Sequence, residues 1–541
     1  MQAPPGLRGE FRTDDVARAL YSEGAGIFRI IPQAVAVPKD REDLVLLVRW
    51  AAAEGGRGAL VPRGAGSGMQ GGNVGAGVVL DLTRACLDPP VIDPDAKTAR
   101  CGASVTYRTL NFAAQPYGLH LPPDPSSGAF CTVGGMAATN AAGSHSVKYG
   151  TMRRWVRALE FVTADGEAGG TEAQRHGGTA AERRFGADVA PAIREQAADL
   201  AAAAPHTPKN SSGYALDAFA RSGRTADLLV GSEGTLAVIT AVEVALAPLP
   251  SERTTLLVTL GSLDQVGPAV LALRPLGPSA VELLDRTYLD FVRGAAQRHL
   301  AAGTEAVLLV EFEGSAREAA AAVQGIATSV EMADDAATVG RLWELRHLAS
   351  PILASLPDNL RSLQVVEDGC VPPERLARYI TALRAAAKAT GFEIVIFGHA
   401  GDGHLHANLL ADVTTQDFAE RLAACLERVT AEQIALGGTP SGEHGDGRLR
   451  APFVERTFGA AYLDLCRRTR RAWDPAGILN PGVKILKSGD AGVLSADTLK
   501  VGPRAPSLPA GIAPRLREIE RAAAWGTYRL DLAPKPGVLQ P

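Results

Sequence analysis

The chain has 541 residues, a formal net charge of −4 at pH 7, a pI near 6.2 and 46% hydrophobic residues. That length predicts two to three domains with ample cores, and the slightly acidic balance gives no footprint for nucleic acid or an anionic membrane surface. The six cysteines (Cys86, Cys101, Cys131, Cys370, Cys425, Cys466) form no C-x-x-C pair, which excludes zinc-knuckle and iron–sulfur spacings and fits a reducing compartment.

The opening M-Q-A-P-P-G-L-R-G-E lacks the apolar centre of a signal peptide, and no run approaches bilayer-spanning length. The expectation is a cytoplasmic protein with no transmembrane segment, and peripheral docking on a membrane complex stays open. Residues 1–34 read as an irregular lead-in, and a compact unit follows over 35–249. Asp40 is placed to cap a helix with Leu44, Leu47, Val48 and Ala51 on its apolar face. A short strand at 59–62 meets a loop over 63–77, R-G-A-G-S-G-M-Q-G-G-N-V-G-A-G, and a second strand follows at 78–82. Glycines let backbone N–H groups approach phosphate oxygens closely. No G-K-[ST] follows, so this is no Walker A loop, and a strand rather than a helix follows, unlike the Rossmann fingerprint. A strand–loop–strand cradle for a dinucleotide pyrophosphate fits; a purely structural loop fits equally well.

Two more small-residue blocks follow. One spans P-P-D-P-S-S-G at 122–128 and T-V-G-G-M-A-A-T-N-A-A-G at 132–143, where a large flat ligand could lie against backbone. The other, L-L-V-G-S-E-G-T-L-A-V-I-T at 228–240, reads as strand, turn, strand. Between them, 170–205 reads as exposed helices or an insertion, and 209–214 as a polar segment facing either the ligand or solvent.

The composition changes at 248–250. Strands at 254–260, 280–284, 306–312 and 363–367, with helices at 263–274, 315–328, 337–354 and 373–390, predict an antiparallel sheet backed by helices, an α+β arrangement. Within it, an apolar run at 392–397 leads into G-H-A-G-D-G-H-L-H at 398–406 and out through an alternating run. A tight loop between two strands lets His399 and His406 point at one spot, which suits a metal or a proton-transfer site; a turn with solvated histidines is the alternative. A helix near 416–435 leads to S-G-E-H-G-D-G-R-L-R at 441–450. His399, His406 and Glu443 make a two-histidine, one-carboxylate set with room for exchangeable ligands, leaving His444 free as a base. Asn408 shares a strand face with His406 and is a candidate for the substrate pocket. The segment 488–541, rich in proline and alanine, reads as a linker or a docking segment.

The order P-R-G-A-G-S-G (62–68), P-P-D-P-S-S (122–127), V-G-G-M-A-A-T-N-A-A-G (133–143), V-G-S-E-G-T-L (230–236), G-H-A-G-D-G-H-L-H, S-G-E-H-G-D-G and L-N-P-G (479–482) resembles the FAD-dependent D-2-hydroxy acid dehydrogenases. These include the glycolate oxidase catalytic subunit, D-lactate dehydrogenase and D-2-hydroxyglutarate dehydrogenase. They belong to the vanillyl-alcohol-oxidase and para-cresol-methylhydroxylase superfamily. The resemblance implies a two-subdomain FAD-binding domain over 35–249, a substrate and metal domain over 250–487, and a tail over 488–541. It places non-covalent FAD against Arg63, Gly64, Ala65, Gly66, Ser67 and Gly68, and against Pro123, Asp124, Ser127, Gly134, Gly135, Thr139 and Asn140. Glu233, Gly234 and Ile239 would flank the rest of the cofactor, and Asn480 would sit near the isoalloxazine. It implies zinc or a similar divalent ion on His399, His406 and Glu443, His444 as catalytic base, and Arg346 on the substrate carboxylate.

Electrons would leave through a separate acceptor: an iron–sulfur subunit, quinone, cytochrome or electron-transfer flavoprotein. A homodimer fits the resemblance. The competing readings are a non-redox FAD enzyme of the alkyl-glycerone-phosphate synthase type, a non-catalytic flavin subunit of an oxidase complex, and an aldonolactone oxidase. The chain departs from the family at His404, where Asn is common. It departs again at Asp446 and Arg448, which would bear on substrate choice, and at Ala237, where glycine is common.

Overall fold

The computed structural model describes the chain except residues 56–57, 172–177, 295–300, 302, 488, 490–493 and 534–541 and the side chains of 350, 351 and 354. Part of the expected insertion at 170–205, and both ends of the tail, therefore lie outside the described residues.

The first unit carries a four-stranded sheet in the order Glu10–Arg12, Ala34–Val37, Val78–Asp81, Leu60–Arg63. Leu60–Arg63 and Val78–Asp81 pair in parallel. Parallel neighbours need a long crossover, and here the glycine loop supplies it. The loop returns so closely that a Cβ on Gly77 would lie 2.0 Å from the Ala59 carbonyl oxygen. Asp40 caps the helix Arg41–Ala53 by accepting from the N–H groups of Glu42 and Asp43. Leu44, Leu47, Val48 and Ala51 pack on Ala34, Ala36, Leu60 and Val78, as their spacing predicts.

A five-stranded sheet stands beside it, with Ala237–Ala245 between Thr98–Gly102 and Val156–Thr163. The apolar run expected as a strand at 228–230 instead closes the short helix Thr225–Leu229. A buried apolar run this short has no period that separates helix from strand. The chain then turns through left-handed Gly231, Glu233 and Gly234 into the central strand. Thr132 caps a helix, Val133–Thr139, that ends at left-handed Asn140.

The second unit is an eight-stranded sheet. Its path runs Ser329–Ala333, Thr254–Leu260, Ala306–Phe312, Ala280–Asp285, Glu393–His399, His404–Asp412, Leu360–Leu363, with Gly369–Cys370 also on His404–Asp412. All its pairings are antiparallel. The strand expected at 363–367 lies at Leu360–Leu363, and Ser329–Ala333, mostly exposed, carried no apolar signal. One face buries Leu256, Leu308, Leu283, Ile396 and Leu405 under the helices Leu376–Ala389 and Phe418–Ala435. Strand alternation puts Glu282, Phe397, His406 and Asn408 on the opposite face, towards the first unit.

The tail returns to the body: Ile512, Leu516 and Leu530 join Leu20, Tyr21, Val35, Val61 and Val79 in one cluster. It is a docked segment and not a linker. No helix among the described residues is long and apolar enough to cross a membrane.

Candidate active site

A cavity of about 900 Å³ lies between the two units. One wall is backbone: 63–68, then Gly134, Gly135 and Thr139, then Glu233, Gly234 and Ile239. Asp124 and Ser127 close one side, and Arg346, His399, His406, Asn408, Glu443 and His444 form the facing wall. Glycine is required where backbones crowd: a Cβ on Gly64 would sit 2.8 Å from Thr132 Oγ1, and one on Gly134 2.5 Å from Ala103 Cβ. Such a groove takes a flat dinucleotide against the main chain. Arg63, 2% exposed, leaves Nη2 without a partner beside the loop. A buried unpaired donor of that kind fits an anionic ligand, so the residues present fit FAD.

Three of the expected cofactor residues are not on this wall. Asn480, left-handed and buried, donates from Nδ2 to the carbonyls of Gly72 and Glu233, 2.8 Å each. Asn140 accepts from the N–H of Arg153 and donates to Ser211. Pro123 is buried beneath the wall. Asn480 and Asn140 tie the loops together. Glu233 reaches the wall, yet its carboxylate accepts from the N–H groups of Asp446 and Gly447, which docks the 441–450 loop on the first unit.

The opposite wall is organised by carboxylates. Glu282 accepts from His399 Nδ1 at 2.5 Å and from Arg346 Nε at 2.7 Å. His406 Nδ1 contacts the Glu367 carbonyl oxygen at 2.8 Å. A carbonyl only accepts, so His406 presents a lone pair at Nε2. His399 Nε2 lies 3.2 Å from His406 Nε2, and Glu443 Oε1 lies 3.5 Å from each. A triangle of those sides has a point about 2.0 Å from every corner, the length of a zinc–nitrogen or zinc–oxygen bond. Three acceptors converging in a buried site require a proton or a cation between them, so the set fits a divalent ion. Burial opposes the ionisation of Glu443, but Lys209 and His399 outweigh it and hold the carboxyl well below its usual range. Burial lowers His406. In His399 the same burial is overcome by Glu282, and its pKa is raised.

His444 stacks on His406, centroids 5.5 Å apart, with Nε2 3.5 Å from Glu443 Oε1. Its Nδ1 is 2.8 Å from Glu367 Oε2. Burial disfavours its charge, but Glu367 and Asp368 overcome this and push it up to about 9. Asp368 accepts from the N–H groups of Glu443 and His444 and from Ser441 Oγ, fixing the loop. Arg450, 1% exposed, donates to Glu367 at 2.5 Å.

His404 is fully buried, its Nε2 3.0 Å from Asp368 Oδ1. Its Nδ1, without a hydrogen-bond partner, lies 3.9 Å from Glu443 Oε2, the carboxylate oxygen that also takes Lys209 Nζ at 2.8 Å. One ring nitrogen of His404 lies within 4.8 Å of the ligand atoms of His399, His406 and Glu443, so the set has a fourth candidate ligand. Asp446 is buried on Lys484 at 3.1 Å and accepts from Ser212 and Gly213, and Arg448 donates to the Val74 carbonyl; neither lies on the cavity wall. Sequence reading placed Lys209 in a polar segment facing either the ligand or solvent, and the structure sets it on Glu443; it missed Glu282, Glu367 and Asp368. The E-D pair at 367–368 is adjacent acid in an apolar run, a signal that could have been followed; Glu282 carries none.

Residues 32–169 match the FAD binding domain family, and 249–483 match the C-terminal domain of the FAD linked oxidases. The chain is 30% identical to "Glycolate oxidase subunit GlcD" of Bacillus subtilis over 490 residues, 88% of this chain and 94% of the relative. It is 33% identical to a D-lactate dehydrogenase of Archaeoglobus fulgidus over 79% of this chain and 85% of that one. It is 28% identical to a D-2-hydroxyglutarate dehydrogenase of Pantoea ananatis over 92% of this chain but 52% of that longer protein. A solved 4-ethylphenol oxidase from Gulosibacter chungangensis superposes with a TM-score of 0.62 at 15% identity, covering 88% of this chain and 94% of that one. Its fold is shared. The two family matches and the two relatives at 30% or more, read with the backbone-lined cavity, place the chain among the FAD-linked oxidases, as a flavin-dependent oxidoreductase of the vanillyl-alcohol-oxidase and para-cresol-methylhydroxylase fold.

Proposed function

We propose that the enzyme oxidises a small D-2-hydroxy acid, of the lactate, glycolate or 2-hydroxyglutarate class, to the 2-oxo acid and passes the electrons to a separate acceptor. The observation that carries this reading is the meeting, on one wall of the flavin cavity, of an arginine, a three-acceptor triangle and a carboxylate-held histidine. In this reading 35–249 binds FAD, through the walls described above, and 250–487 binds the substrate. FAD, when bound, supplies a hydride acceptor, and a zinc or similar ion held by His399, His406 and Glu443 supplies positive charge that favours ionisation of the 2-hydroxyl.

The chain's own residues do the rest. Arg346 donates Nε to Glu282, which fixes the guanidinium plane, and offers the outer edge of its fork to the substrate carboxylate. It lies over the Phe397 ring at 4.5 Å, which holds it against the wall. Asn408, on the same face, hydrogen-bonds the substrate oxygens. His444 takes the hydroxyl proton at Nε2, the nitrogen turned to Glu443, while Glu367 and Asp368 stabilise the imidazolium that results. Burial opposes the charge of His444 and Glu367 and Asp368 favour it, which raises its pKa; a divalent ion on His399, His406 and Glu443 would oppose that rise.

The test is rapid reduction of bound flavin by substrate in His444→Ala. Loss of about 10²–10⁴-fold is expected for a general base; an unchanged reduction rate removes His444 from the reaction.

A further inference from the structure

The tail contributes to the cavity itself. Both family matches end before it, at 169 and 483, yet Arg517, Glu520, Arg521, Ala523 and Trp525 line the same cavity as the 63–68 loop. The segment is anchored along its length. Lys500 N–H donates to Ile27, and Arg29 N–H donates to Thr498. Ile512 and Leu516, on the helix Ile512–Arg521, are buried against Leu20 and Val61. Arg361 binds Glu520 at 2.7 Å, tying the helix to the edge strand of the substrate sheet. Beyond the helix the chain turns at left-handed Ala523. A Cβ on Gly526 would lie 3.3 Å from Phe130 Cβ, which sets the segment beside the Ser127 side of the cavity.

Two observations point to an anionic ligand. Arg529, 3% exposed, leaves Nε and Nη1 without partners; its guanidinium sits 5.3 Å over Trp525. Burial, together with repulsion from Arg63, holds it down at about 9. Arg63 also leaves a buried nitrogen unpartnered. Among the described residues neither arginine forms a direct ion pair with a carboxylate; Glu23 and Asp81 act on both only at longer range, and a buried guanidinium nitrogen left without a hydrogen bond is costly. In addition, Arg361, Lys500, Arg517 and Arg521 surround only two carboxylates, Glu520 and Asp358. The wall is cationic, as a dinucleotide pyrophosphate requires.

We propose that residues 512–530 are part of the FAD site: Trp525, on the cavity wall with the Arg529 guanidinium over its ring, closes the cavity over the dinucleotide beside Arg63, so the tail retains the cofactor. This rests on FAD occupying the cavity, not on the identity of the substrate. The test is the Kd of FAD, read by flavin fluorescence on deflavinated full-length protein and on Trp525→Ala, Arg529→Met and a chain ending at Lys487. Arg504→Ala, on the exposed part of the tail, is the control. Each point variant is expected to weaken FAD about tenfold or more, with circular dichroism unchanged and the control at the wild-type Kd. The shortened chain, where it folds, is expected to lose FAD on gel filtration. Wild-type Kd in both point variants overturns the proposal. So does a rise in KM for the hydroxy acid at unchanged FAD Kd, which would assign the cationic wall to a substrate carboxylate. Failure of the wild-type protein to bind FAD would instead remove the cavity assignment itself.

Discussion

Nδ1 of His444 lies 2.8 Å from Oε2 of Glu367 where the 441–450 loop meets the substrate sheet, with Glu367 buried and His444 half-buried. Glu367 is also held by Arg450 through its other oxygen, so the carboxylate is fixed before it meets the imidazole. A charge held in place orients the base and favours the imidazolium it becomes. Glu367→Gln keeps the shape and removes the charge. The expected outcome is a fall in kcat of about 10–100-fold with FAD retained. Stopped-flow reduction of the flavin checks it; an unchanged rate means the carboxylate does not assist the base.

The His399–His406–Glu443 triangle predicts one divalent ion per chain. Glu443→Gln and His399→Ala are expected to drop metal content, measured by plasma mass spectrometry, to near zero while the visible flavin spectrum remains. Removing the ion from wild-type protein with a chelator should abolish substrate reduction of flavin, and adding zinc should restore it. Wild-type protein that reduces flavin at full rate while free of metal contradicts the assignment. His404→Asn is expected to keep the ion, because His399, His406 and Glu443 still supply three ligands.

Arg346 is joined to His399 through the two oxygens of Glu282. Lysine cannot offer a planar fork to a carboxylate. Arg346→Lys is expected to lower kcat/KM by about 10–100-fold, an amount that matches about 1.5–3 kcal/mol for a charge-assisted hydrogen bond. Metal content should be unchanged. Steady-state kinetics with the preferred acid reads the effect.

His145 bridges the two units: its Nδ1 lies 2.5 Å from Asp124 and its Nε2 3.0 Å from Glu311, under the Trp343 ring. Burial opposes its charge, yet Asp124 and Glu311 push it up to about 10. A histidine whose folded pKa is raised above 6.5 contributes stability that is complete below pH 6.5 and is lost as pH rises through about 10. Thermal midpoints are therefore expected to fall between pH 7 and 10 in wild-type protein and to fall less in His145→Gln. Parallel pH curves for the two proteins would show that the bridge carries no net stability.

Much of this was legible in the chain. The hairpin at 398–406 announced itself because glycines free the loop while three histidines crowd it, and Gly403 does take the left-handed φ of 70° that the turn needs. The apolar face of Leu44, Leu47, Val48 and Ala51 was readable because helical period and an Asp cap agree. What could not be read was tertiary. Lys209 meets Glu443 across 234 residues, and a lone lysine in a polar segment has no local pattern. Asn480 was placed near the ligand, but its amide bridges two backbone carbonyls inside the fold. The tail read as either a linker or a docking segment, because its few apolar residues, Ile512, Leu516 and Leu530, gain meaning only against Leu20 and Val61.

The proposed reaction is oxidation of one enantiomer of a 2-hydroxy acid by enzyme-bound flavin. The most direct measurement is the visible spectrum of the FAD-loaded, zinc-loaded protein under anaerobic conditions, during separate additions of D- and L-lactate, glycolate, and D- and L-2-hydroxyglutarate. Bleaching of the visible flavin band by a D-acid or by glycolate, and not by the L-enantiomers, is the expected result. A flavin band that no acid bleaches, or that an L-acid bleaches faster than its D-enantiomer, would contradict it.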